Sequence, residues 1–219
     1  LCDSCLGRLF GKIGHGPTND DRGRAIREAI HLPDGPCWVC GGLTSRYGDL
    51  ADVVIRKLEP WEFDSFSIGS KVDPEIAARE EFLWKELALS GPEALKAEVN
   101  REVGKRVSER LRKEPDLAHP DIVAVIDPAF DHVDLQVNPL YLRGRYRKLV
   151  RGVPQTRWPC RRCMGKGCTR CGGTGKMYPT SVEEVIAAEV MRESDGRGHA
   201  LHGMGREDVD ARMLGRGRP

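Results

Sequence analysis

Eight cysteines arranged as four C-x-x-C pairs constrain this 219-residue chain more than any other feature. The pairs are Cys2/Cys5, Cys37/Cys40, Cys160/Cys163 and Cys168/Cys171. A C-x-x-C turn presents two thiolates in fixed geometry, and two such turns complete a tetrahedral metal site. Disulfide frameworks belong to short secreted chains, whereas paired knuckles of this kind read as zinc. No apolar run approaches the roughly 18 residues of a membrane span, and no signal-peptide core is present. These features predict a reducing cytoplasm and no membrane partner.

The second cysteine group falls within twelve residues and is a tandem repeat. Cys160-Arg-Arg-Cys163-Met-Gly165-Lys-Gly167 is followed by Cys168-Thr-Arg-Cys171-Gly-Gly173-Thr-Gly175. Its glycines leave the backbone free to turn amides toward the sulfurs. The first group must close across the 31 residues between Cys5 and Cys37, a modest cost because loop-closure entropy grows only logarithmically. Crossed pairing between the groups is disfavoured, since each is already complete. Both are expected to hold structural zinc, one or two ions in all. Four thiolates leave no open position for water, and no organic cofactor is called for. The doublet also resembles the cysteine-rich region of Hsp40-type chaperones. Those carry four repeats and a J domain with His-Pro-Asp, whereas here there are two repeats and His119-Pro120-Asp121 lies on no helical hairpin.

Charge is nearly balanced overall, at +2, but it is not evenly mixed. From Arg143 to Lys176 there are eleven Lys/Arg and no Asp or Glu, while Glu59 to Asp116 is rich in acidic residues. A basic block this dense predicts a phosphate-facing surface, because each neutralised phosphate releases counterions.

Loops dominate the first forty residues apart from a short helix, Arg22 to His31, capped by Asp20-Asp21. Asp52 to Leu58 and Phe63 to Val72 read as two strands. Asp73-Pro74 supplies an N-cap and an N1 proline for a helix to about Leu89. Ser90-Gly91-Pro92 breaks it and begins another, with Leu95, Val99, Val103, Val107 and Leu111 four residues apart. Asp121 to Asp127 reads as a buried strand. Val133, Leu135 and Val137 read as a half-buried one, which Tyr141-Leu142 extends. The order of strand, strand, helix, helix, strand, strand argues for an α/β (α+β) sandwich. Ser181 to Glu184 is a capping box; its helix carries Val182, Val185, Ile186 and Val190 on one side and stops at Ser194-Asp195-Gly196. The isolated His15, His31, His132, His199 and His202 have no assigned role. Trp38, Trp61, Trp84 and Trp158 read as core or platform residues.

The segment Leu201-His-Gly-Met-Gly-Arg-Glu-Asp-Val-Asp-Ala-Arg-Met-Leu-Gly215 stands directly after the C-x-x-C doublet and Gly175-Lys-Met-Tyr-Pro-Thr-Ser-Val-Glu-Glu184. Together these resemble the archaeal and eukaryotic tRNA pseudouridine synthases that act on the TΨC arm. Leu1-Cys-Asp-Ser-Cys-Leu-Gly-Arg8 looks like that family's N-terminal knuckle. Asn138-Pro-Leu-Tyr-Leu-Arg-Gly-Arg-Tyr-Arg-Lys-Leu149 and Pro154-Gln-Thr-Arg-Trp158 look like its middle region.

The resemblance implies four segments: a zinc-knuckle segment at 1–44, a THUMP-like RNA-binding domain at 45–150, a basic linker with the second zinc module at 151–177, and the beginning of a catalytic domain at 178–219. It implies tRNA as the partner, with no obligate protein partner, and isomerisation of uridine to pseudouridine in the TΨC arm (tRNA positions 54 and/or 55). Asp208 takes the catalytic position, with Asp210 its rival. Arg206 takes the position that helps displace the target base, and Arg143, Arg145, Arg147, Lys148, Arg151 and Arg157 are expected on the RNA face. The chemistry suits a carboxylate and needs no redox partner. The family's catalytic domain runs well beyond this motif, so the chain is expected to be an N-terminal portion that is inactive alone and poorly folded after 180, with Val209, Met213 and Leu214 lacking strands to pack against. The alternative function is a non-catalytic, zinc-stabilised THUMP module that binds tRNA.

Overall fold

A computed structural model describes residues 1–13, 16–89 and 91–219; His15 and Ser90, named above, lie outside the described residues. The chain divides into two units, Leu1–Leu140 and Tyr141–Pro219.

The first unit begins with α1 (Asp3–Arg8) and α2 (Asn19–Ala29). Thr18, not Asp20-Asp21, caps α2 by accepting from the Asp21 amide, so the helix starts three residues before its expected first residue. The two helices touch through glycine. A Cβ at Gly7 would lie 1.8 Å from the Asn19 carbonyl oxygen, and one at Gly23 would lie 1.7 Å from that of Asp3. Any side chain at either position would push the helices apart.

The expected strand at Asp52 to Leu58 is instead the end of a helix, α3 (Tyr47–Leu58). Its buried residues, Tyr47, Leu50, Ala51, Val54, Ile55 and Leu58, recur at helical spacing. The Val-Val-Ile run favours a strand only when the window omits Tyr47 and Leu50, which complete the stripe.

The remaining elements follow the expected order: β1 (Ser65–Ser70), α4 (Pro74–Glu86), α5 (Leu95–Leu111), a short β2 (Glu114–Pro115), β3 (Ile122–Asp127) and β4 (His132–Val137). The sheet runs β2-β1-β3-β4, parallel up to β3 and antiparallel between β3 and β4. Asp73 caps α4 by accepting from the Glu75 amide, with Pro74 at N1 as expected. In α5 the side chains of Leu95, Val99, Val103 and Val107 are wholly buried. Across the sheet Phe66, Ile68 and Ser70 pair in register with Ile122, Ala124 and Ile126 and share their burial. α3 and α5 pack on each other and on this face, which joins Cys5, Cys37 and Cys40 in one core. Each fully buried Leu or Val contributes about 1.5–3 kcal/mol of transfer free energy. β4 ends at Val137 and is not extended by Tyr141-Leu142, because Pro139 has no N–H to continue the ladder; those two side chains are 86% and 66% exposed.

The second unit contains β5 (Tyr146–Lys148), the cysteine doublet, α6 (Val182–Ser194) and β6 (Met213–Arg218). Ser181 caps α6 by accepting from the Glu184 amide and donating to the Glu184 carboxylate, and Asp195 ends it in the left-handed conformation. Met213 does have a strand to pair with: β6 runs antiparallel to β5, with Lys148 opposite Met213 and Tyr146 opposite Arg218. The α6 stripe is only partly covered, with Val182 buried but Val185 and Ile186 exposed.

Candidate metal centres and the Gly-Arg-Glu-Asp loop

The Sγ atoms of Cys2, Cys5, Cys37 and Cys40 all lie within 4.8 Å of one another, as do those of Cys160, Cys163, Cys168 and Cys171. All eight cysteines are free thiols. Individual separations of 3.7 Å (Cys2–Cys40), 4.0 Å (Cys160–Cys168), 3.9 Å (Cys163–Cys171) and 3.7 Å (Cys168–Cys171) are far beyond a disulfide. They match the edge of a tetrahedron of thiolates bound at about 2.3 Å, which is about 3.8 Å. The groupings are those expected from the spacing.

Local structure builds the first centre. Cys2 is the N-cap of α1, so Cys5 projects one turn later on the same side, and the Cys5 amide points at the Cys2 sulfur. Cys37 to Cys40 forms a turn closed by the Gly41 amide on the Cys37 carbonyl. Cys5, Cys37 and Cys40 are 2–8% exposed. With the sulfurs this close, the thiols shift one another's titration in opposite directions. Cys2 is pushed up by its contact with Cys37, and Cys5 by its contact with Cys2. Cys37 is pushed down and Cys40 is lowered to about 5, each chiefly by its hydrogen bond with Cys2. A cation among four sulfurs would bind them as thiolates, since metal binding releases the thiol protons.

Arg8, 2% exposed, joins this centre to the helices behind it. One guanidinium nitrogen donates to the Cys5 sulfur at 3.0 Å. Another pairs with Glu80 and donates to the Glu93 carbonyl at 3.1 Å, and Nε lies 3.0 Å from Glu98. Burial alone would lower the guanidinium, but Cys5 and Glu80 outweigh it and hold it charged. Glu80 also accepts from the Leu95 amide at 2.9 Å, at the start of α5. Ser4 donates to both Glu98 oxygens at 2.8 Å and Asn19 donates to one at 3.0 Å. Burial nonetheless pushes the Glu98 carboxyl above its ordinary value. Neither Glu80 nor Glu98 stood out in the sequence. The available signal was a glutamate at Glu98 beside the apolar stripe of α5.

The second centre uses its repeat. Gly167 and Gly175, each four residues after a cysteine, donate their amides to Cys163 and Cys171 at 3.2 Å. A Cβ at Gly175 would lie 2.2 Å from the Gly165 carbonyl oxygen, and one at Gly167 would lie 2.6 Å from that of Gly173. The two halves therefore lock through equivalent glycines. Burial would raise the Cys171 thiol, but amide donors from Cys168 and Gly175 lower it to about 6. Cys160 is lowered as well, first by the Cys163 amide.

The third feature is the loop from Gly205 to Asp208. Asp208 is exposed, whereas Glu207 is buried, its side chain 1% exposed. The Tyr146 hydroxyl donates to both Glu207 oxygens at 2.7 and 2.8 Å, and Arg218 pairs with one of them at 3.1 Å. Arg206 lies over the Trp158 ring at 5.5 Å, and Trp158 meets Tyr178 edge-on at 5.6 Å. Of the cations expected on an RNA face, Arg143, Arg145, Arg147, Arg151 and Arg157 are exposed. Arg145 donates to the carbonyls of Arg216 and Gly217, and Arg151 to that of Asp210. Lys148 departs from the expectation. It is 4% exposed and its ammonium donates to the carbonyls of Val153, Asp208 and Val209, which leaves no N–H for phosphate.

Charge divides with the units. Leu1–Leu140 carries 18 Lys/Arg and 25 Asp/Glu, and Tyr141–Pro219 carries 17 Lys/Arg and 8 Asp/Glu. The resulting balances of −7 and +9 account for the overall +2. Among the described residues no helix is long and apolar enough to cross a membrane.

Two protein-family models match the chain: the archaeal Pus10 THUMP domain over residues 50–127 and the Pus10 C-terminal family over residues 141–219. A curated tRNA pseudouridine synthase Pus10 of Methanothermobacter marburgensis is 46% identical over 224 residues, covering 100% of this chain and 55% of that protein. Proteins of the same name from Methanothrix thermoacetophila and Methanopyrus kandleri are 40% and 42% identical, again over the whole chain and over 56% and 58% of their own lengths. The chain thus spans a little over half the length of these relatives.

Proposed function

This chain belongs to the Pus10 family, and from that premise we propose that it is the RNA-binding part, together with the catalytic aspartate loop, of a cytoplasmic tRNA pseudouridine synthase acting on the TΨC arm. The observation that carries the reading is the Gly205-Arg-Glu-Asp loop, in which Asp208 faces solvent while its neighbour Glu207 is held inside. Pseudouridine formation breaks the bond from the ribose C1′ to N1 of uracil and makes one from C1′ to C5. The hydrogen of C5 leaves as a proton and N1 gains one, so neither oxidant nor reductant is consumed. Asp208 acts on the sugar side of the broken bond and Arg206 helps keep the displaced base out of its stack.

Both cysteine centres hold zinc in this reading, and both are structural. The THUMP domain within unit one takes the acceptor end of the tRNA. Phosphate contacts come from the second unit, from Arg143, Arg147 and Arg157 and from the exposed Arg161, Arg162, Lys166 and Arg170 around the second knuckle. Affinity for tRNA then falls steeply with salt.

The test is tritium release from C5-labelled uridine in an unmodified tRNA transcript, using the full-length protein beside its Asp208→Ala variant. Release that disappears with Asp208→Ala supports the reading. No release, with salt-sensitive tRNA binding intact, would replace it by a non-catalytic tRNA-binding module.

A further inference from the structure

The residue next to the proposed catalytic aspartate is better held than the aspartate itself. Glu207 is a carboxylate removed from water, and such a group persists only where donors replace its hydration. Tyr146 and Arg218 supply them, and they come from the paired strands β5 and β6. Burial and the nearby Glu207 push the Tyr146 phenol up, so its hydroxyl stays a donor at neutral pH. The grip continues past the carboxylate. Gln155 donates to the Tyr146 oxygen at 3.0 Å and to the Gly205 carbonyl at 3.1 Å. On the other side of Glu207, Lys148 donates to the Asp208 and Val209 carbonyls at 3.0 and 3.2 Å. The backbone after Glu207 is thus tied to β5 through Lys148, and the backbone before it to Gln155, which itself donates to the Tyr146 hydroxyl that holds the side chain.

We propose that Glu207 is a positioning residue: gripped by Tyr146 and Arg218, it acts as the inward anchor that fixes the direction in which Asp208 and Arg206 leave the loop. The inference rests on the reading of Asp208 as the catalytic carboxylate. With Glu207 held inward, the residues on either side of it, Arg206 and Asp208, are both exposed. Loosening the anchor lets the loop turn, and a displacement of about 1 Å at a reacting group can lower a rate by about 100-fold.

The experiment uses full-length protein carrying Glu207→Gln, in which the amide oxygen can still accept from Tyr146 but the charge facing Arg218 is gone. Turnover on unmodified tRNA should fall by roughly 10- to 100-fold in kcat, with KM for tRNA within about twofold and an unchanged melting profile. Amide hydrogen exchange should speed up at residues 205–211 and nowhere in 1–140. Tyr146→Phe should reproduce a weaker form of both effects. Combining the two substitutions should cost less than the sum of their separate effects, because both act through one contact. A Glu207→Gln protein with wild-type kcat, or one whose defect lies wholly in KM, overturns the proposal. If Glu207→Gln fails to fold, Tyr146→Phe decides alone: wild-type kcat with unaltered exchange at 205–211 overturns it. If the wild-type protein releases no tritium yet Glu207→Gln still accelerates exchange at 205–211, the anchor stands and the catalytic reading of Asp208 is what fails.

Discussion

The two four-cysteine centres share donors and sulfur spacing but are built by opposite means. The first draws its ligands from two turns far apart in the chain and places three of them inside the core of unit one, with the buried Arg8 tying Cys5 to Glu80 and Glu98. The second takes all four ligands from one repeat of sixteen residues, Cys160 to Gly175, whose halves close on each other through glycine backbone. One centre is a component of a larger core, and the other is complete in itself. A C-x-x-C pair therefore predicts the metal site, but the residues around it decide how much of the fold depends on the metal.

Cysteine substitution should separate the two most widely. Structural zinc contributes on the order of 10–16 kcal/mol, as much as a whole domain's net stability. Cys40→Ser should abolish the thermal transition of unit one along with one equivalent of bound zinc. Cys168→Ser should lose one equivalent and leave that transition in place. Calorimetry with metal analysis reads both, and equal damage to unit one from either variant would erase the distinction.

Next comes Arg8→Met, which strands two buried carboxylates and should cost about 3–5 kcal/mol in denaturant unfolding of unit one. The exposed Arg161→Ala at the second centre should cost under about 0.5 kcal/mol. Smaller again is a pair of glycine substitutions. Gly175→Ala meets the Gly165 backbone and should cost about 1–3 kcal/mol, seen as faster loss of the second zinc to a chelator. At Gly41, φ is +56° but the space around it is open, so Gly41→Ala should cost only about 1 kcal/mol of backbone strain.

The smallest effect is one of sign. Burial raises the Glu98 carboxyl above its ordinary 4.5, so its contribution is full below 4.5 and lost as pH rises through the raised value. Wild type should gain on Glu98→Gln as pH falls from 7 toward 4.5. Near the second centre burial would raise Glu184, but hydrogen bonds from Lys176 and Ser181 outweigh it and lower it. Its contribution is present above 4.5 and lost on further acidification, so wild type should lose ground to Glu184→Gln. On acidification the melting-temperature difference should favour wild type over Glu98→Gln between pH 7 and 4.5, and favour Glu184→Gln over wild type below 4.5.

Much of this was legible from the sequence because it is local. The cysteine groupings, the Asp73-Pro74 and Ser181 helix starts and the α5 stripe each follow from spacing within a few residues. The misread at Asp52 to Leu58 came from judging a β-branched run without the flanking Tyr47 and Leu50. The roles of Glu80, Glu98 and Glu207 were missed for a different reason. Arg218 and the Leu95 amide lie 11 and 15 residues from Glu207 and Glu80. Each buried carboxylate also needs a distant partner, Tyr146 for Glu207, Arg8 for Glu80 and Ser4 for Glu98, at 61, 72 and 94 residues, and no short window contains the whole set. Lys148 was assigned to an RNA face by its charge alone, whereas its burial depends on carbonyls that only the β5–β6 pairing brings near.

The long reach of the first centre also sets an order of events on the ribosome. Ser4 and Arg8 are made before their partners: Glu80 follows Arg8 by 72 residues and Glu98 follows Ser4 by 94. At about 5–20 residues per second α1 waits roughly 5–20 s for its last carboxylate. Cys37 and Cys40 are translated well before that, so the first knuckle can load its metal while the domain that will enclose it is still being made. The second knuckle has its full set of ligands roughly 0.5–2 s after its first cysteine, and its loading is a local event in the life of the nascent chain.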